Sequence, residues 1–377
     1  GNFEYAVPSG FFCLELKKPS GVWIMAYTDI DDPTLYFRTK TYTGNGTNNT
    51  AYTWDETHAN MRPDWLWFKN RDENQSHAAF DSIRGALLRL IPNESGAEGT
   101  ENANLDSFDS NGFTVDSGTI VNGSSDKMVA WGWSAGTSFS NDASATGVGT
   151  IDSTGSINTT HGFSIISYTG NATSGATVAH GLGAVPGMIM IKNRSAGSTN
   201  WNLFHKSLTG TTASFPDLIN QSDSNAKYFN NTNPTSSVFS LGNYNDANGD
   251  GNNIIAYCFA EKQGYSKFGS YTGNGNADGT FVYTGFKPAF IMTKKTSSSS
   301  NWTLLDNKRL GYNVDNNRIY VNLYDTENTS DVMDILSNGF KMRNTASDNN
   351  TSGATYIYMA FAESPFVNSS GVPNNAR

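Results

Sequence analysis

A five-residue string returns three times along this chain. Tyr42-Thr43-Gly44-Asn45-Gly46 reappears as Tyr168-Thr169-Gly170-Asn171-Ala172 and as Tyr271-Thr272-Gly273-Asn274-Gly275. Further landmarks follow it in constant order. A proline opens an apolar run ending in lysine: Pro63 to Lys69, Pro186 to Lys192, Pro288 to Lys294. An aromatic segment then closes on Asp81, His205 or Asp306, and Ser-Asn-Gly-Phe occurs at 110–113 and 337–340. Last comes an apolar segment at 128–133, 254–259 and 356–361. Ordered self-similarity of this kind marks one supersecondary unit used repeatedly.

The landmarks describe a β unit. Gly and Asn tolerate tight turning, so Tyr-Thr-Gly-Asn reads as a turn after an edge strand. Proline at the start of a strand removes no ladder bond, so the Pro-to-Lys runs read as central strands. Met188 to Ile191 is apolar at every position, which implies burial on both faces. The closing segments alternate rings with small residues, as in Ala130-Trp131-Gly132-Trp133. The stretch from Ser76 to Ile91 lacks helical periodicity and reads as two strands around Arg84-Gly85. The expected fold is all-β: three tandem β-sandwich (jelly-roll-like) modules of roughly a hundred residues, at 36–136, 163–263 and 264–377 with its tail. Between the first two lies 137–162, rich in Ser, Thr and Gly. It reads as a linker, and composition leaves open a flexible tether or a segment strapped to a neighbouring module. The second and third modules join so closely that a fixed angle between them is expected.

A net charge of −9 and a pI near 5.0, with no Lys/Arg run, argue against nucleic-acid binding. No apolar run reaches the ~20 residues of a membrane helix. Cys13 and Cys258 sit in strand-like surroundings and read as buried thiols. Gly1, with no initiating Met, reads as the start of a fragment or processed product.

The candidate sites are few. Asp246, Asn248 and Asp250 match the first half of a calcium loop, but Tyr257 stands at the twelfth position where a carboxylate is required. A polar turn is therefore expected, and no cofactor. None of the five histidines is paired at metal-ligand spacing, and His205 reads as a turn or surface residue. The acidic groups Asp29, Asp31, Asp32 and Asp55, Glu56 read as solvated loops. No nucleophile elbow or phosphate loop occurs, so the chain is not expected to be an enzyme. Tyr52, Trp54 and His58 break the repeat pattern with added rings beside acids, the composition of a glycan-stacking platform. The same rings suit an interface with a preceding domain or neighbouring subunit, which is the favoured reading.

Residues 180–195, 261–275 and 353–366 resemble a repeat domain of unknown function found in virion proteins of marine tailed bacteriophages. The second and third copies match along almost their whole length; the first is more divergent, with extra residues between Leu90 and Leu105. Residues 1–35 look like the exit of a preceding concanavalin-like (SPRY-type) sandwich. The resemblance implies a virion structural protein, on a tail fibre or other appendage, taking part in host-surface attachment. It brings no catalytic or ligand residues. A capsid decoration or head-fibre protein is the alternative, and a polysaccharide depolymerase a more distant one. Expected partners are other virion proteins, further copies of the chain (a trimer being one arrangement) and a host-surface glycan.

Overall fold

The computed structural model describes residues 15–17, 23–25, 27–208, 212–214, 218–309, 313 and 316–374. Within it the apolar runs become the inner strands of three large antiparallel sheets. The first sheet runs Phe37–Thr43, Lys127–Trp133, Trp65–Asn70, Ala78–Asp81. The third repeats that order as Ser266–Thr272, Thr355–Pro365, Phe286–Lys295, Trp302–Asp306, and adds Ile319–Tyr320. The second has Phe163–Thr169, Asn253–Ala260, Pro186–Asn193, Asn202–His205 in the same sequence. Each closing strand is therefore paired on both sides, by the strand carrying Tyr-Thr and by the Pro-to-Lys strand. The chain is all-β, as expected.

The second sheet carries two additional strands, Ser153–Asn158 and Thr137–Asn141, in register Ser153↔Tyr168 and Thr137↔Ile157. These come from the segment that composition marks as a linker, which is thus strapped to the second sheet. Ladder pairing uses backbone groups and needs no large side chains, and Ser and Thr can cover a sheet edge that would otherwise be open. From 76–91, Ala78–Asp81 and Leu88–Arg89 form strands on either side of a turn holding Arg84. Pro186 opens its strand, whereas Pro288 lies inside Phe286–Lys295 at a bulge, where the register slips and the missing N–H costs no pair. Of residues 1–35, the early part appears only as Glu15–Lys17 paired with Trp23–Met25. Cys13 and most of the segment read as a sandwich exit lie outside the described residues.

A smaller sheet packs on one face of each large one. For the first it is Thr50–Thr53, Gly112–Val115 and Leu105–Asp109; for the second, Ala176–Ala179 with Val238–Leu241; for the third, Phe281–Tyr283, Gly339–Met342 and Met333–Leu336. Strand alternation divides the side chains between two environments. Leu66, Phe68, Met128 and Ala130 enter the first sheet's own core, as do Ile189, Ile191, Ile254 and Ala256 in the second. The residues between them, Trp65, Trp67, Trp131, Trp133, Met188, Met190, Tyr257, Phe259, Phe290, Met292, Met359 and Phe361, meet in one further core shared by all three sheets. Trp65 stacks on Tyr257 at 4.6 Å between centroids, Phe37 on Phe361 at 5.4 Å, and Phe259 lies 5.7 Å from Phe361. This is why the runs are apolar at every position: one face fills the local sandwich and the other fills the centre. Burial of each ring contributes about 1.5–3 kcal/mol, so the shared core is a principal source of stability.

Around that core the sheets close in a ring of polar seams. From first sheet to second, Asp81 Oδ2 accepts from Tyr257 Oη at 2.6 Å and Arg84 Nε at 2.5 Å; Arg84 also reaches Glu98, which takes a two-pronged contact from Arg194 at 2.9 Å. From third to first, Asp306 Oδ2 accepts from Trp131 Nε1 at 3.0 Å and Arg309 Nε at 2.6 Å, and Glu327 joins Arg309 to Arg71. Burial alone would raise the Glu327 pKa, but the contacts with Arg71 and Arg309 outweigh it and bring the carboxyl down to about 2. At the seam from second to third the ion pair is a partly exposed one, Lys267 with Glu261 at 3.2 Å. There His205 Nε2 lies 3.0 Å from Tyr358 O, and Ser222 N donates to Thr296 O at 3.4 Å.

Candidate functional site

The recurring Tyr-Thr-Gly-Asn string builds a clasp. Its tyrosine hydroxyl donates to a backbone carbonyl just before the closing strand: Tyr42 to Val121 O at 2.5 Å, Tyr168 to Ala247 O at 2.8 Å, Tyr271 to Asn349 O at 2.8 Å. The next residue in each case is a buried asparagine, Asn122, Asn248 or Asn350. Its Oδ1 accepts from the backbone N–H of Asn45, Asn171 or Asn274 at 3.0, 2.9 and 2.9 Å. The string's glycine must be Gly, since a Cβ on Gly44, Gly170 or Gly273 would lie 2.2–2.3 Å from a carbonyl oxygen of the closing turn. The motif is structural. Its partner asparagine was not singled out from the sequence, although it stands 77, 77 and 76 residues beyond the motif asparagine.

This clasp also accounts for the calcium candidate. Asn248 Nδ2 donates to Thr173 O and Gly242 O at 3.0 and 2.8 Å, so its amide is engaged by backbone on both sides. Asp246 is buried on the short helix Asn245–Asn248, and burial raises its pKa, while Asp250 is exposed. Among the described residues no group of three His, Cys, Asp or Glu side chains is placed to hold a metal.

Tyr52, Trp54 and His58 are not brought together as a platform. Trp54 is only 3% exposed; its Nε1 donates to Met61 O at 2.8 Å and its ring packs edge-on against Phe113. A Cβ on Gly132 would come within 2.6 Å of that ring, whereas the equivalent closing-strand positions hold Cys258 and Ala360. Trp54 therefore fills the space left by Gly132, in the local core and not at an outer interface. Tyr52 packs at a tilt against Tyr42, 4.0 Å between centroids, and donates to Thr43 O at 3.1 Å. His58 lies at the surface, 2.6 Å from Asp32.

The other four histidines are buried, and for His205 the surface reading is wrong: it sits in a seam, where the ring bonds to a neighbouring sheet. Burial holds His205 and His180 neutral with pKa down to about 4, and His77 and His161 down to about 3. His77 Nδ1 accepts from Trp67 Nε1 at 2.9 Å while Nε2 faces Tyr320 O at 3.0 Å, so its tautomer is fixed by two sheets. Cys258 is fully buried, its thiol pKa raised by that burial.

The repeated lysines are buried as well. Lys192 Nζ is held by Thr199 O, and Lys294 Nζ by Ser300 O and, at 2.9 Å, by Ile219 O. These bonds fix the walls of a groove where loops from all three sheets converge. It consists of two cavities of about 360 and 300 Å³ that share Asn200 and Leu218. Nothing in the repeat pattern points to it, because its lining comes from stretches that differ between copies.

A family model described as a domain of unknown function, DUF7483, matches residues 32–365. It takes as one domain what the resemblance divides into repeats of about a hundred residues, in keeping with a core to which all three sheets contribute. No curated protein and no solved structure matches the chain. With the match spanning so much of its length, the chain belongs to the DUF7483 family.

Proposed function

We propose that the chain is a non-enzymatic structural protein of a bacteriophage particle, carried on a tail fibre or other surface appendage and contributing to attachment at the host surface. The observation that carries this reading is the use made of the recurring polar residues. The clasp tyrosines and asparagines, the seam carboxylates and arginines, and the buried lysines are all spent on internal bonds that lock three sheets onto one core. That is the economy of a rigid body whose work is architectural, with recognition left to loops outside the repeat. The likeness of 180–195, 261–275 and 353–366 to phage virion repeats supports the location, and the thrice-used strand order supports three copies of one module.

Immunogold labelling of intact particles with antibodies against the purified chain tests the assignment. Gold on tail or head appendages is expected. Label confined to soluble lysate, with particles bare, would overturn it.

A further inference from the structure

We infer that the groove centred on Asn200 and Leu218 binds a neutral oligosaccharide. The inference deepens the attachment reading and rests on it for the source of the sugar.

Each of the two adjoining cavities, about 360 and 300 Å³, lies at the lower end of the ~300–1,000 Å³ typical of small-molecule sites. Because they share two lining residues, the cavities adjoin, and together they offer room for a short chain of sugar rings. Its walls are set before any ligand arrives. Thr199 N donates to Ser95 O at 3.0 Å and Ser300 N to Ile219 O at 2.8 Å, tying the loops to one another. The buried ammonium groups of Lys192 and Lys294 hold the same loops from beneath. Walls fixed in this way avoid the ordering cost that weakens binding by mobile loops.

The lining chemistry selects the ligand class. Asn200, Asn220 and Gln221 each offer an amide that donates and accepts at once, which matches neighbouring hydroxyls on a sugar ring. Asp223 accepts from Tyr228 Oη at 2.7 Å, and the bond fixes a carboxylate that has further acceptor capacity for a ligand hydroxyl. Leu218 supplies an apolar patch for a C–H face. Lys and Arg are absent from the described lining, while Glu94 and Asp223 both contribute carboxylates. A phosphate, sulfate or uronate would meet like charge in the described lining itself, so the groove favours uncharged sugars. The groove also departs from the molecule's threefold pattern, as a recognition site on a repeated scaffold should.

Calorimetric titration of the full chain with neutral hexasaccharides of glucose, galactose and mannose, and with a sulfated hexasaccharide as the anionic counterpart, tests this. At least one neutral sugar should bind and the sulfated one should not. Asn200→Ala and Asp223→Ala should each weaken binding tenfold or more without lowering the melting temperature. Absence of binding by every neutral probe, equal binding of the sulfated sugar, or wild-type affinity in both variants would overturn the inference. A variant that melts early is replaced by Gln221→Ala, whose exposed side chain carries the same expectation. Labelled particles without sugar binding would sink the groove and leave the virion assignment standing; sugar binding with bare particles would do the reverse.

Discussion

At the residue scale, the departures from the recurring sequence pattern at Trp54 and Gly132 are compensations. Trp54 and Gly132 form a pair in which a ring occupies the space a side chain would need. Gly132→Ala should therefore cost about 1–3 kcal/mol in denaturant unfolding, the usual penalty for overpacking a filled core. Adding Trp54→Phe should recover part of that loss, and no recovery would mean the two positions are not coupled. The clasp asparagines make a related point. Asn350 Oδ1 accepts from the N–H of Asn274, and the two hydrogens of its Nδ2 are shared among Asn276 O, Asn344 O and Asn274 Oδ1. Asn350→Ala should cost at least about 1–3 kcal/mol, because it leaves buried groups without partners. Tyr265 is the converse case: its hydroxyl is buried in the centre with no partner among the described residues. Tyr265→Phe should be neutral or up to about 1 kcal/mol more stable, and a clear loss would reveal a hydrogen bond at that oxygen.

At the scale of elements, the strands were legible because the recurring letters carry both strand and turn chemistry. Tyr-Thr-Gly-Asn, the Pro-to-Lys runs and the ringed closing segments fall where the sheets have them. The destination of their second face was not legible. Trp65, Trp67, Met188 and Phe290 point away from their own sandwich, and alternation alone cannot say whether the other side meets a partner sheet or another copy. The strap at 137–162 was ambiguous for a similar reason, since small polar residues form ladders as readily as tethers. His205 could not be placed because its partner is a carbonyl 153 residues away, which leaves no local signature. The seams give this scale its own prediction. Arg309→Met should cost about 3–5 kcal/mol by leaving the fully buried Asp306 carboxylate without its cation. Combining it with Asp306→Asn, which removes the uncompensated charge and still accepts from Trp131 Nε1 while Glu327 keeps Arg71, should restore part of the stability; a double variant as unstable as the single would contradict the seam's role.

For the whole molecule, four buried neutral histidines make acid the sensitive direction. Their folded pKa values lie at about 3 to 4, below the unfolded value of 6.5. Above pH 6.5 they contribute no pH dependence. As the pH falls from there toward 4, only the unfolded chain takes up these protons, and each histidine removes up to about 1.4 kcal/mol per pH unit. Glu327, with a folded pKa of about 2 against 4.5, adds a further loss below pH 4.5. The melting temperature should therefore be flat with respect to these groups near neutrality and fall steeply below pH 6, and a protein equally stable at pH 7 and pH 4.5 would contradict this burial.

Three sheets share one aromatic core, and differential scanning calorimetry of the whole chain reads that directly. A single transition is expected, with calorimetric and van't Hoff enthalpies in agreement. Trp133→Ala in the first sheet should move that entire transition down, by an amount corresponding to about 3–5 kcal/mol. Two or three separable transitions, with only one of them shifted by Trp133→Ala, would mean that the sheets fold as independent modules and that the shared core does not hold the molecule together.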